Sequence, residues 1–171
     1  MLNRRSTGLL FVAAVASCAW PASAEASPSA TTLFTIARSK NANVVRYVAL
    51  TSENGLNLRR PIGAYWLMLA EDGRKEELSW AERKLAYGFE VSKATADRCV
   101  VSLAAFKQRP LLVVRQGSTF RAVLSIAGKR GALERIFVQT SEDGLLPSVQ
   151  YLDVFGTAAD GAPLQERVTA R

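Results

Sequence analysis

The chain contains no histidine among its 171 residues. That absence excludes His-based triads, the commonest general base and nearly every familiar zinc or iron site. Cysteine is almost as scarce, with only Cys18 and Cys99. Cys18 falls in an N-terminal stretch with the marks of an export signal, so the mature chain holds Cys99 alone and no intramolecular disulfide is expected. Cys99 lies in the apolar run Cys99-Val100-Val101-Ser102-Leu103. That setting suits a small buried hydrophobe better than a reactive thiol, which needs an exposed, electropositive environment. Aromatic residues make up only 8% of the chain, which makes their clustering informative.

The export signal has three parts. Arg4 and Arg5 form a basic start, residues 8–19 form an apolar run, and Pro21-Ala22-Ser23-Ala24 places small residues before Glu25. A basic start, a short apolar centre and an A-x-A cleavage site define a secretory signal. The run is shorter than the ~20 residues a membrane span needs. Cleavage after Ala24 is the expected processing, and it lowers the formal charge from +7 to +5 by removing Arg4 and Arg5. The alternative is a lipoprotein signal of residues 1–17, because Val15-Ala16-Ser17-Cys18 resembles a lipobox in which Cys18 becomes lipidated. The Arg4-Arg5 pair is not followed by the hydrophobic residues of a twin-arginine signal, since Ser6 and Thr7 come next. An exported protein of the periplasm or extracellular space is expected, with membrane contact only through such a lipid anchor. Nucleic acid is not an expected partner.

Residues 25–32 form a low-complexity lead-in, expected to be disordered. From Leu33 to the end the pattern is that of one β-rich domain, with short apolar runs separated by turn dipeptides. Asn54-Gly55, Asp72-Gly73, Gln116-Gly117, Asp143-Gly144 and Asp160-Gly161 supply the positive φ angles of tight turns. Asp72-Gly73 and Asp143-Gly144 are flanked by apolar runs on both sides, the hairpin signature. Strands are expected at 33–37, 44–51, 63–70, 87–92, 99–103, 111–115, 119–127, 135–140 and 149–157. The stretch 119–127 alternates well, with Phe120, Ala122, Leu124 and Ile126 on one face. Ser79 followed by Glu82 predicts a capping box and a short helix from Trp80 to Leu85 or Ala86, stopped by Gly88. Eight or nine short strands with one short helix predict a mainly β fold, a single antiparallel barrel or sandwich.

Four groups could carry chemistry. Arg38, Ser39, Lys40, Asn41 and Asn43 form a polar, basic loop between two strands, either a simple turn or a site for a carboxylate or phosphate. Ser39 and Lys40 do not qualify as a nucleophile–base pair, since adjacent strand side chains face opposite ways. Tyr65, Trp66, Trp80, Tyr87 and Phe89 concentrate the aromatics and fit either the core or an apolar pocket beneath the helix. Glu71, Asp72, Glu76 and Glu77 surround Gly73 and read as a solvated hairpin tip, with no calcium-loop spacing. Arg46, Arg115, Arg121 and Asp153 lie on strands, and any that faced inward would need a partner. No metal site and no cofactor is expected.

The stretches Leu33-Phe34-Thr35-Ile36-Ala37-Arg38-Ser39-Lys40-Asn41-Ala42-Asn43-Val44-Val45, Pro61-Ile62-Gly63-Ala64-Tyr65-Trp66 and Leu85-Ala86-Tyr87-Gly88 resemble domain of unknown function family 4833. The resemblance runs from Leu33 to about Val168. It implies a single small domain, often exported, with no assigned activity or site. The residues themselves favour a non-catalytic binding module of the cell envelope, holding an apolar or anionic small ligand or docking a partner protein. A His-free, carboxylate-dependent hydrolase using Glu82, Glu90 or Asp153 is the enzymatic alternative. A structural or assembly factor of the envelope is the third.

Overall fold

The computed structural model describes residues 29–141 and 148–169. Residues 1–24, with their two processing routes, and the Asp143-Gly144 turn lie outside these. The described chain is mainly β, about 65% strand with one short α-helix. The strands are β1 (Ser29–Arg38), β2 (Asn41–Ser52), β3 (Gly55–Leu56), β4 (Ile62–Leu67) and β5 (Lys75–Glu77), followed by helix α1 (Trp80–Leu85). Then come β6 (Phe89–Ser92), β7 (Arg98–Leu103), a 3-10 turn (Ala104–Phe106), β8 (Leu111–Gln116), β9 (Thr119–Ile126), β10 (Lys129–Ser141), β11 (Ser148–Ala158) and β12 (Pro163–Thr169).

The expected closed barrel or two-sheet sandwich is corrected to one strongly curled open sheet, a half-barrel. Its order is β5-β4-β2-β1-β10-β9-β8-β7-β6, with β11 and β12 branching from β10 and β3 from β2. The long strand β10 explains the shape. One of its edges carries β11 along almost its whole length. The other edge is shared: residues 129–132 pair with β9 and residues 135–138 with β1. Two arms therefore leave the same edge, β1-β2-β4-β5 and β9-β8-β7-β6, and curl towards each other. The β1–β10 pairing is parallel, the one departure from the antiparallel pattern that was expected.

Twelve strands replace eight or nine because three carry no apolar alternation. β3 has two residues, β5 reads Lys-Glu-Glu, and β12 reads Pro-Leu-Gln-Glu-Arg-Val-Thr on a sheet edge. The strand β1 also begins earlier than expected: Ser29 to Thr32, placed by composition in the disordered lead-in, pair with Thr51 to Val48. Small polar and β-branched residues suffice there because ladder hydrogen bonds, not burial, hold an exposed strand end.

Local signals elsewhere hold. Phe120, Ala122, Leu124 and Ile126 are all buried on one face of β9. Asp72-Gly73 turns the β4–β5 hairpin, with Gly73 at φ +74 and the Asp72 carboxylate accepting from Arg74 N–H at 2.9 Å. The Ser79–Glu82 capping box is complete. After α1, a Cβ at Gly88 would stand 1.6 Å from the Arg83 carbonyl oxygen, so only glycine lets the chain return against the helix. Cys99 is fully buried and free, and burial pushes its thiol up to about 11.

The core lies between the arms. Phe34 of β1 stacks on Tyr47 of β2, ring centroids 4.4 Å apart, and Tyr47 meets Phe89 of the opposite arm edge-on at 6.0 Å. The Tyr47 hydroxyl is buried, and its cost is offset by donating to the Tyr87 carbonyl at 2.7 Å. Leu56 N–H donates to the Ala96 carbonyl at 2.8 Å, and Arg115 Nη2 donates to the Asn54 carbonyl at 3.1 Å, tying the arms at a second point.

Candidate functional site

The period-2 pleat of β1 puts Phe34, Ile36 and Arg38 on the inner face. Phe34 and Ile36 enter the core, and Arg38, last in the strand, ends against aromatic rings. Its guanidinium carbon lies 4.9 Å from the Trp66 ring centroid and 5.6 Å from that of Tyr87. Arg38 Nε is buried and has no hydrogen-bond partner among the described residues. Such a group is costly to leave unsatisfied, and stacking on the rings recovers only part of the cost.

The rest of the loop is occupied in holding itself. Asn41 Oδ1 accepts from Asn43 N–H at 3.1 Å, and the buried Asn43 Oδ1 accepts from Ala70 N–H at 2.9 Å. Ser39 N–H donates to the Val138 carbonyl at 3.1 Å, and its hydroxyl lies 3.4 Å from that of Thr140. Lys40 is exposed at the turn. Arg38 is thus the one member of the loop set that reaches the interior aromatics.

Trp66, on the inner face of β4, is buried and meets Tyr87 edge-on at 5.2 Å. Its indole N–H donates to Glu82 Oε1 at 3.0 Å. Burial opposes ionisation of Glu82. Hydrogen bonds from Ser79 and Trp66 and the nearby Arg38 charge outweigh it, holding the carboxyl below its ordinary range. Burial, partly countered by Arg38, raises Tyr87 above its ordinary value, so its hydroxyl is neutral at physiological pH. The corner therefore presents the Arg38 cation near the ionised Glu82 carboxylate, a neutral phenol and two aromatic faces.

This corner opens into a cavity of about 750 Å³. Its walls are chiefly apolar: Ile36, Leu103, Ile136, Val138, Leu152 and Val168, with Arg38, Tyr87 and Thr140 as polar points. A volume of several hundred Å³, apolar walls and a few convergent polar groups are the features of a small-molecule site. Sequence reasoning missed Ile136, Val138, Leu152 and Val168. They share a face only through the register of β10, β11 and β12, which a bulge near Glu134 shifts.

Other candidates lie elsewhere. Tyr65, beside Trp66, points to the outer face, where Lys75 Nζ sits 5.0 Å from its ring centroid. Trp80 is 74% exposed on α1 and does not line the cavity. Asp153 is on the outer face, paired twice with Arg167 at 2.8 Å. Glu82 stands at the helix, Glu90 is exposed on β6, and Asp153 lies across the sheet, so the three carboxylates do not converge. Arg115 pairs with Asp97 at 2.7 Å, and Glu71, Glu76 and Arg74 form the solvated hairpin tip. Among the described residues, no group of three or more His, Cys, Asp or Glu is placed to hold a metal ion.

The family model described as Domain of unknown function (DUF4833) matches residues 34–167, in keeping with the motifs of the basic loop and β4. No curated protein and no solved structure gives a significant match.

Proposed function

We propose, taking as premise that the chain belongs to the family Domain of unknown function (DUF4833), that it is a binding module for an amphiphilic anion. The apolar body of the ligand lies along Ile136, Val138, Leu152 and Val168, and its carboxylate or phosphate accepts from Arg38. The observation that carries this reading is the buried Arg38 Nε without an acceptor among the described residues, set on Trp66 and Tyr87 at the wall of an apolar cavity. A guanidinium there offers a fixed donor in low dielectric, where an anion is worth more than in water. Residues 1–24, read as an export signal, are in keeping with work outside the cytoplasm, with the envelope as the source of such molecules.

The test is calorimetric titration of the full chain with dodecanoate, and with dodecanol as the uncharged control. Dodecanoate is expected to bind at least tenfold tighter, and Arg38→Met to abolish that preference while leaving dodecanol unchanged, since one charge-assisted hydrogen bond is worth about 1.5–3 kcal/mol. Equal affinity for acid and alcohol in the unaltered protein would remove the anionic part of this reading. Failure of both to bind would remove it entirely.

A further inference from the structure

The half-barrel is open where its two arms end. On one arm, β4 pairs with β2 along its length but with β5 only at residues 65–67, so Ile62, Gly63 and Ala64 have no outer neighbour. On the other arm, β6 pairs only with β7. A second cavity of about 470 Å³ lies between these edges. Its apolar wall draws on both arms: Ile62 and Ala64 of β4, Phe89 and Val91 of β6, and Leu78 from the segment before α1. Tyr87 lines this cavity and the one beside Arg38, so the two abut, but Arg38 lines only the first.

The charged residues lining the second cavity are Arg59, Arg60, Arg83 and Glu77, three cations to one anion. Glu77 and Arg83 compensate each other, with Nη2 and Oε2 2.6 Å apart, and Arg83 Nε donates to the Leu78 carbonyl at 2.8 Å. Arg59 and Arg60 remain. Their backbone N–H groups both donate to Asn57 Oδ1, at 3.0 and 3.2 Å, and the carbonyl of Pro61 accepts from Leu50 N–H at 2.9 Å. The turn is thus pinned through its backbone. Neither guanidinium has a hydrogen-bond or ion-pair partner among the described residues. The neighbouring acids are engaged or turned away. Glu76 binds Arg74, Glu82 binds Ser79 and Trp66, and Glu90 alternates with Phe89 and Val91 onto the opposite face of β6.

We propose that this cavity is a second binding site, for a small phosphomonoester. Its phosphoryl oxygens accept from Arg59 and Arg60, and its apolar or aromatic body lies on Ile62, Phe89 and Val91. Charge and shape both enter that choice. Two uncompensated guanidinium groups match a phosphate ester, which carries about two negative charges at neutral pH, and their planar forks fit its oxygens. A bare anion would leave the apolar walls against water, whereas a ring or short chain covers them. The site depends on neither Arg38 nor the walls from β10 to β12, so it stands apart from the amphiphile site proposed above.

Calorimetric titration of the full chain with phenyl phosphate at neutral pH tests the assignment. The ester is expected to bind about tenfold tighter than benzoate, which keeps the ring with less charge, and about tenfold tighter than inorganic phosphate, which lacks the ring. Raising salt is expected to weaken it. The double variant Arg59→Ser with Arg60→Ser, whose altered side chains hold nothing in the fold, is expected to bind phenyl phosphate about a hundredfold more weakly while still preferring dodecanoate to dodecanol. Arg38→Met is expected to bind phenyl phosphate as the unaltered chain does. An unaltered chain that does not bind the ester overturns the proposal, as does a double variant that binds it equally well. Benzoate or inorganic phosphate binding as tightly as the ester overturns it too. Loss of phenyl phosphate in Arg38→Met, with retention in the double variant, overturns it by sending the ester to the first cavity.

Discussion

Two arginines, each set on aromatic rings on the inner side of the sheet, differ in one respect. Arg109 lies 5.4 Å from the Phe106 ring centroid and makes two hydrogen bonds to Glu166, at 2.6 and 2.7 Å. Glu166 also accepts from Ala127 N–H at 2.7 Å, so three donors converge on one carboxylate and bind the 3-10 turn, β9 and β12 together. Arg38 sits on Trp66 and Tyr87 with its Nε buried and no acceptor among the described residues. The first arrangement is complete within the fold and serves the fold. The second leaves its Nε without an acceptor among the described residues, and the role proposed above assigns that acceptor to a ligand. Among the described residues, what separates the two arginines is the carboxylate bonded to Arg109, not the ring beneath the cation.

That contrast can be broken in several ways. The largest effect on stability is expected from Glu166→Ala, which leaves Arg109 half-buried and unpaired. It should lower unfolding free energy in urea by about 2 kcal/mol, below the figure for a fully buried pair because both groups keep some solvent contact. Arg38→Met is expected to move the other way in stability, unchanged or raised by up to about 1 kcal/mol, because it removes an unsatisfied donor. A loss as large as that of Glu166→Ala would show Arg38 to be structural and erase the distinction.

The pH dependence sharpens the comparison further. The hydrogen bonds from Arg109 hold the Glu166 carboxyl below its ordinary value of 4.5, and Glu82 is likewise lowered. A depressed folded pKa gives stability that is fully present above the unfolded value and is lost as pH falls through the folded one. Melting temperature is therefore expected to fall on acidification below about 4.5, and Glu166→Gln to show a shallower fall. A smaller loss belongs to Arg167→Ala on the outer face. Its own side chain is 57% exposed, but its removal leaves the buried Asp153 carboxylate without two hydrogen bonds, so the urea midpoint should fall, by less than for Glu166→Ala.

What could be read from sequence follows the range of the interactions involved. The helix was legible because a capping box is a three-residue pattern, and β9 because alternation on a one-sided strand is local. The strands β5 and β12 were not, since edge strands with polar side chains are held by backbone pairing. The half-barrel itself depends on Thr35 pairing with Arg135, one hundred residues away, which no window of residues discloses. At the site, Arg38, Trp66 and Tyr87 were foreseen as separate groups and are brought together by three different strands and loops. Tyr65 and Trp80 were grouped with them by residue type, but strand alternation turns Tyr65 outward and the short helix leaves Trp80 on the surface. The apolar walls from β10 to β12 needed the register.

The parallel seam between β1 and β10 also sets an order of events in time. Loop closure over so long a span costs entropy before any contact repays it, and folds dominated by such pairings form slowly. The first strand can make its hairpin with β2 early, but it has no seam to join until residues 135–138 exist. Until the last quarter of the sequence joins the fold, the chain is therefore an unfinished sheet with an open edge on β1, and the two arms lack their common spine.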